Sequence, residues 1–402
     1  MTDRPETLLA ILERLCAFKT ISDRSNLELI GYCEQLLRDA GYAVTVLPDA
    51  TGTKANLHAV KGDPVRPGLV LAGHTDVVPV EGQSWSGDPF RLLRDGDSLR
   101  ARGVTDMKGF VAAALTFALE AEIVAADAPL HLVLTYDEET GCFGARDIVP
   151  YLRANLPAGS LCLLGEPTGL APVIAHKGIL GLRTEITGSD GHAARIRFGA
   201  NAIHFAGELI GHLRSEGDRY AERSVPGGYA SPHSTIQVGV IAGGVARNMI
   251  ANSCRLDYEF RSVPEDDPDA FLARLGDLLQ NDILPRMLRN EPAAGIETEV
   301  RSRVPAFRGA SDGPFLQAVR RCFRDADPVA WDGVTEAGYY AQAGLEVIIC
   351  GPGDITQPHR ADERASLAAL IACMEGLDRL LLALGIGAAG CTREGCMGER
   401  RA

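Results

Sequence analysis

The sequence predicts an α/β fold: a mixed, mostly parallel sheet flanked by helices, interrupted by an inserted α+β domain. Three observations carry this. Strands that are apolar throughout alternate with helical stretches early in the chain, as in AVTVL, NLHAV, GLVLAGH, LHLVLTY and SLCLLGE. Such strands are buried on both faces, which argues for a largely parallel sheet covered by helices. Near Gly178 the strands change to strict alternation, and after residue 292 the α/β pattern returns. At 402 residues the chain exceeds one ordinary domain.

Taken in order, Leu8, Leu9, Ile11, Leu12 and Leu15 follow helical spacing, and Leu29, Ile30, Cys33, Leu36 and Leu37 repeat it. Gly41 closes that second helix. The early strands follow, with helices expected over 107–124 and 145–153. The inserted part, 180–292, holds the alternating strands ILGLRTEITG, STIQVGVIAGG and CRLDYEFRSV. In the last, Leu256, Tyr258 and Phe260 face one way while Asp257, Glu259 and Arg261 face the other, a sheet with one wet face. Helices over 201–214 and 268–279 accompany them. A helix over 314–324, the strand EVIICG and a long helix over 361–384 complete the chain. The outer domain thus covers 1–179 and 293–385, and residues 386–402 read as a disordered tail.

Composition excludes several classes. With 40 basic and 53 acidic residues the net charge is −13, a poor match to nucleic acid or to an anionic membrane. The first residues, MTDRPETLLAILERLCAF, do not read as a signal peptide, and no apolar run is long enough to span a bilayer. The expected compartment is the cytoplasm, with the ten cysteines reduced. Cys391 and Cys396 in the tail lack the further nearby ligands a zinc site needs.

The residues that can do chemistry gather at strand ends. His74 and Asp76 close LVLAGHTD and, two apart, share one side of the strand. The pair suits a metal ligand with an orienting carboxylate, half of a nucleophile triad, or a plain hydrogen-bonded pair. Asp106, in RGVTDMKG just before a helix, reads alone as an N-cap. Asp137, Glu138 and Glu139 follow a buried strand, where three acids in a row call for a cation. Glu166 ends another apolar strand, and His359 follows EVIICG. Ligands are expected at the C-terminal edge of such a sheet. Two imidazoles and three carboxylates suit two zinc ions, with one further carboxylate left as general base.

With their surrounding words these residues resemble the di-zinc aminoacylase and carboxypeptidase superfamily, and within it the acetylornithine deacetylases. The words are GHTDVVPVEGQSWSGDPF, RGVTDMKG, YDEETG, GEPTGLAPVIAHKG, GGVARNMIAN, EFRSVPEDDP, TEAGYYAQAGLEVIICGPG and QPHRADE. The resemblance implies a zinc-peptidase catalytic domain in which His74, Asp106, Glu139, Glu166 and His359 hold two Zn²⁺, Asp106 bridging. Co²⁺ is an expected substitute. It makes Asp76 the partner of His74, and Glu138 the general base. The inserted domain becomes a lid and dimerisation domain of a homodimer. His192, in SDGHAA, would reach the partner's active site and hold the tetrahedral oxyanion. Asn248 and Arg261 would grip a substrate carboxylate. Arg261 equally suits a strand-face salt bridge with Glu259 or Asp257. Two words depart from the family pattern, AARIRFGANAI after His192 and Ala361 for a Pro in QPHRADE, and Thr105 stands in GVTDMKG at a position where the family varies.

The expected reaction is metal-dependent hydrolysis of an N-acyl amino acid: N²-acetyl-L-ornithine to L-ornithine and acetate, in arginine biosynthesis. N-acetylcitrulline, N-succinyl-diaminopimelate or a dipeptide are alternatives of the same chemistry. Gly309-Ala310-Ser311-Asp312-Gly313 also fits the G-x-S-x-G elbow of serine hydrolases, but the segment before it, RSRVPAFR, is charged and broken by Pro305. A non-catalytic binding protein would be expected to lack one of the site residues, and none is missing.

Overall fold

The computed structural model describes residues 4–121 and 128–385. The expected tail over 386–402, with Cys391 and Cys396, lies outside the described residues, as does the end of the helix expected to reach residue 124. The fold class is as expected: a mixed α/β chain built on a large sheet flanked by helices.

The chain divides into two compact units. The first comprises Met1–Ile174, Gly309–Pro328 and Thr335–Ala402. Its sheet runs Ala43–Pro48, Ala55–Lys61, Leu130–Thr135, Leu69–His74, Leu161–Pro167, Glu346–Gly351. The last four of these strands are mutually parallel, and the first two are antiparallel to their neighbours. The parallel strands are the apolar ones, and Leu69–His74 and Leu130–Thr135 are buried along their whole length. Register aligns their ends: His74 pairs with Thr135, and Gly351 with Pro167. Four chain segments therefore leave the sheet along one edge.

Helix Lys108–Glu120 has every residue from Lys108 to Ala118 buried. Its weak amphipathicity fits that position, because it lies under the outer helices Arg4–Ala17 and Leu367–Ala383 and touches the strand Leu69–His74. Gly165 permits close packing here: a Cβ at this position would lie 2.0 Å from the Phe110 ring. The long final helix starts later than expected, at Leu367 rather than Ala361. Residues Arg364–Ser366 instead form a strand against Ser98–Arg100, and Ser366 caps the helix by accepting the Ala369 N–H at 3.1 Å.

The second unit comprises Ala175–Arg308 and Val329–Val334. Its antiparallel sheet runs Thr235–Gly243, Ser253–Ser262, Gly178–Thr187, Gly295–Val304. Leu180, Leu182, Leu256, Tyr258 and Phe260 face helices Ala202–Ala221 and Pro268–Asp277, in a core with Leu209, Leu213, Phe271 and Leu275. The opposite face is wet, as the alternation implies. The sequence reading missed Gly295–Val304. This strand is largely exposed, so GIETEVRSRV carries no apolar run. The unit accordingly extends past residue 292 to Arg308.

Candidate metal centre

Each parallel strand delivers one part of a cluster to the shared edge. His74 is the last residue of its strand and fully buried, with Asp76 buried two residues on. Asp106 precedes helix Lys108–Glu120, across a cis Asp106–Met107 peptide. It is not a cap: the cap position is Met107, and no side chain caps this helix. Glu138 and Glu139 follow Leu130–Thr135 through a turn at Asp137, whose φ is 55°. Lys54 Nζ holds that turn, 2.5 Å from both Asp137 carboxylate oxygens. Glu166 lies buried in Leu161–Pro167, and His359 sits on the loop after Glu346–Gly351 at φ 64°.

The two oxygens of Asp106 face the two imidazoles. His74 Nε2 is 3.0 Å from Asp106 Oδ1, and His359 Nε2 is 3.6 Å from Oδ2. His359 Nε2 also lies 2.9 Å from Glu139 Oε2. Ligand atoms of His74, Asp106 and Glu139 all fall within 4.8 Å of one another. His74 Nδ1 is 3.0 Å from the backbone carbonyl of Asp76, closer than the 3.5 Å to the Asp76 carboxylate. A proton on Nδ1 donated to that carbonyl leaves Nε2 free as a ligand. The Asp76 carboxylate is occupied elsewhere: it accepts the N–H groups of Glu138 and Glu139 at 3.0 and 3.3 Å and the Ser22 hydroxyl at 2.6 Å.

The electrostatics are those of a crowded anionic site. Burial, reinforced by the charges of Glu166, Glu139 and Asp106, pushes the Glu138 carboxyl well above the usual carboxylate range despite opposition from His74. Glu166 is raised likewise, by burial and by Asp106. Burial and Asp106 lift Glu139 to about 7. His359, hydrogen-bonded to Asp106 and Glu139, is raised to about 10. Burial works against the Asp106 charge, but the hydrogen bonds from His359 and His74 outweigh it and hold its carboxyl low. Among the described residues, no lysine or arginine pairs with Asp106, Glu138, Glu139 or Glu166. Glu166 Oε1 is buried without any hydrogen-bond partner. Converging carboxylates, an orphaned buried oxygen and two imidazoles are what a pair of divalent cations would satisfy, so the residues fit a metal pair.

Three expected site residues lie in the second unit. His192 is exposed, and its Nδ1 accepts the Ala194 N–H at 3.1 Å at the start of a short turn. Asn248 is exposed, its backbone carbonyl accepting the Ala193 N–H at 3.0 Å. Arg261 Nε donates to Glu259 at 2.7 Å, the strand-face salt bridge considered above. Ser311 is exposed and follows a strand of only two residues, Phe307–Arg308, so the strand support of a nucleophile elbow is missing. Sequence reasoning missed Ser22 and Glu336. Glu336 is fully buried, accepts from Thr135 Oγ1 at 2.6 Å and accepts the Tyr340 hydroxyl at 3.1 Å. The acid within TEAGYY was its only sequence signal.

Among the described residues, no helix is long and apolar enough to cross a membrane. Residues 70–383 match Peptidase family M20/M25/M40. An acetylornithine deacetylase of Myxococcus xanthus is 36% identical over 384 residues, covering 94% of this chain and 98% of that protein. Another, from Proteus mirabilis, is 32% identical and covers 93% and 96%. Among solved structures, an M20 family metallo-carboxypeptidase of Sulfolobus solfataricus superposes with a TM-score of 0.72 at 15% identity, over 96% of this chain and 100% of that one. Aminopeptidase PepT of Bacillus cereus gives 0.71 at 17%, over 95% and 99%. These two likenesses speak for the fold. With the family match and relatives above 30% identity across nearly the whole length, the chain belongs to Peptidase family M20/M25/M40.

Proposed function

We propose that the chain hydrolyses the amide bond of an N-acyl amino acid, with N²-acetyl-L-ornithine as first substrate, releasing acetate and L-ornithine for arginine biosynthesis in the cytoplasm. Membership of the family and relatives named deacetylases make it a metal-dependent hydrolase; the substrate is our reading. The observation that carries it is the cluster of Asp106 between His74 and His359, with Glu138, Glu139 and Glu166 around it.

His74, Asp106, Glu139, Glu166 and His359 would hold two Zn²⁺, with Asp106 shared, and Co²⁺ would serve in their place. When bound, such a pair polarises a carbonyl and makes water a stronger nucleophile near neutral pH. Glu138 accepts the proton of the attacking water and returns it to the leaving amine. Asp76 aims Glu138 by gripping its backbone N–H. Positive charge in the cluster lowers the raised Glu138 pKa towards that of a working base. His192 donates to the tetrahedral oxyanion across a homodimer formed through the second unit, a role that its exposed ring leaves open. Asn248 and Arg261 bind the substrate carboxylate, Arg261 exchanging its Glu259 partner for it.

The test is hydrolysis of N²-acetyl-L-ornithine beside acetylcitrulline, acetylmethionine and succinyl-diaminopimelate, with and without chelator. Chelator-sensitive turnover favouring acetylornithine supports the proposal. Preference for another panel member would move the substrate and the pathway while keeping the chemistry.

A further inference from the structure

The loops that carry Asp106 and His359 are joined by a buried carboxylate. Glu363, only 1% exposed, follows His359 by four residues. Its Oε1 accepts the backbone N–H of Thr105 at 2.8 Å and of Asp106 at 3.1 Å. Its Oε2 accepts the Gly103 N–H at 2.9 Å and a guanidinium N–H of Arg102 at 2.8 Å. Both oxygens are thus committed to the segment that ends in Asp106. Arg102, also 1% exposed, reaches back to the Arg360 carbonyl at 3.2 Å and bonds the Gln83 side-chain oxygen. Gln83 Nε2 in turn donates to the His359 carbonyl at 2.8 Å.

The His359 side chain is 57% exposed and sits on a loop at positive φ, so packing alone does not hold it. Asp106 lies in a segment without side-chain capping. We propose that Glu363 is a positioning residue: with Arg102 and Gln83 it forms a brace that fixes the Asp106 backbone against the His359 loop and so sets the spacing of the two groups. This rests on the metal-centre reading above. It adds residues that touch neither substrate nor metal and act only through the ligands. Buried charge networks that orient ligands are worth about 10–100-fold in metal affinity when broken.

Glu363→Gln is a sharp test. Each carboxylate oxygen receives backbone N–H donors, so either orientation of the new amide sets N–H against N–H. The full-length protein, stripped and reloaded, is titrated with Co²⁺ by calorimetry and by visible absorption, with circular dichroism reporting the fold. Expected for Glu363→Gln is native circular dichroism, about 10–100-fold weaker binding of at least one Co²⁺ and an altered absorption band. The kcat should fall at Co²⁺ levels that saturate the wild type, with little change in KM. Should Glu363→Gln not fold, Gln83→Ala, at a partly exposed site, must shift Co²⁺ affinity and the absorption band in the same direction. Wild-type affinity and spectrum in the folded variant, or in Gln83→Ala where that is the readable one, overturn the brace while leaving the metal centre standing. A wild type that binds no Co²⁺ removes the metal centre and the brace together.

Discussion

The Asp76 carboxylate holds the backbone of Glu138: Oδ1 accepts the Glu138 N–H at 3.0 Å, while Oδ2 takes the Glu139 N–H at 3.3 Å. One side chain at the end of the His74 strand thereby aims the two acids at the end of the neighbouring strand. His74 itself turns its Nδ1 to the backbone carbonyl of Asp76, which survives any substitution there. Asp76→Ala is therefore expected to leave the His74 ring oriented and to release the Glu138–Glu139 turn. Steady-state kinetics with metal analysis should show kcat lowered by about 10–100-fold and weaker metal retention. Unchanged kcat would leave the turn held by Lys54 and Asp137 alone.

Arg261 separates binding from stability. Its pair with Glu259 is part-exposed, and such pairs contribute about 0–1 kcal/mol. Arg261→Ala should therefore barely move the urea midpoint. If Arg261 forks the substrate carboxylate, KM should rise by roughly 10-fold or more, the loss of a charge-assisted bond of about 1.5–3 kcal/mol. A KM equal to wild type would assign Arg261 to the sheet face only.

Gly165 predicts a packing defect. A methyl group there meets the Phe110 ring at 2.0 Å, and Phe110 belongs to a helix buried nearly all round. Gly165→Ala should destabilise the protein by about 1–3 kcal/mol, the usual cost of overpacking. Chemical denaturation reads this directly. Because Glu166 is the next residue, metal affinity should fall as well.

Two buried imidazoles give the protein an acid-sensitive side. His58 Nε2 lies 2.9 Å from His131 Nδ1, the rings stack at 5.2 Å, and His58 Nδ1 meets the Tyr151 hydroxyl at 3.1 Å. Burial lowers His58 to about 4, and burial together with the His58 charge lowers His131 to about 3. In the unfolded chain both titrate at about 6.5. Below that value the unfolded state binds more protons, so this contribution is complete above pH ~6.5 and is lost as pH falls towards ~4 and ~3. His58→Phe with His131→Phe should flatten the fall in urea midpoint between neutral pH and pH ~4.5, relative to wild type. Parallel curves for the two proteins would show that the pair takes up protons in the folded chain as readily as in the unfolded one, and would contradict the buried neutral pair.

Much of this was legible in the residues. Apolar strands ending in or followed by His74, Glu139 and Glu166 announced the parallel sheet and the edge at which these groups gather, because an acid or an imidazole at the end of a buried strand has few structural uses. The alternation of Leu256, Tyr258 and Phe260 with Asp257, Glu259 and Arg261 announced the one-sided sheet. Other features lay beyond a linear reading. Gly295–Val304 pairs with the Gly178–Thr187 strand through its backbone, so its charged side chains carry no apolar signature. Ala361 and Glu363 suit a helix by propensity, yet Glu363 is drawn to backbone amides far away in sequence and the helix begins only at Leu367. Asp106 looked like an N-cap by position, and only the fold turned it towards His74. The choice of Asp76 between the His74 ring and the Glu138 backbone is a matter of half an ångström that no sequence motif encodes.

The most direct single measurement is turnover of N²-acetyl-L-ornithine by stripped and metal-restored protein, wild type beside Glu138→Gln, with bound metal counted in each. The expected result is activity that returns with two ions per chain. Glu138→Gln should bind both ions yet lose about 10²–10⁴-fold in kcat, the range for a missing general base. Turnover that survives complete stripping, or a metal-loaded Glu138→Gln as active as wild type, would contradict the assignment of this cluster as the hydrolytic centre.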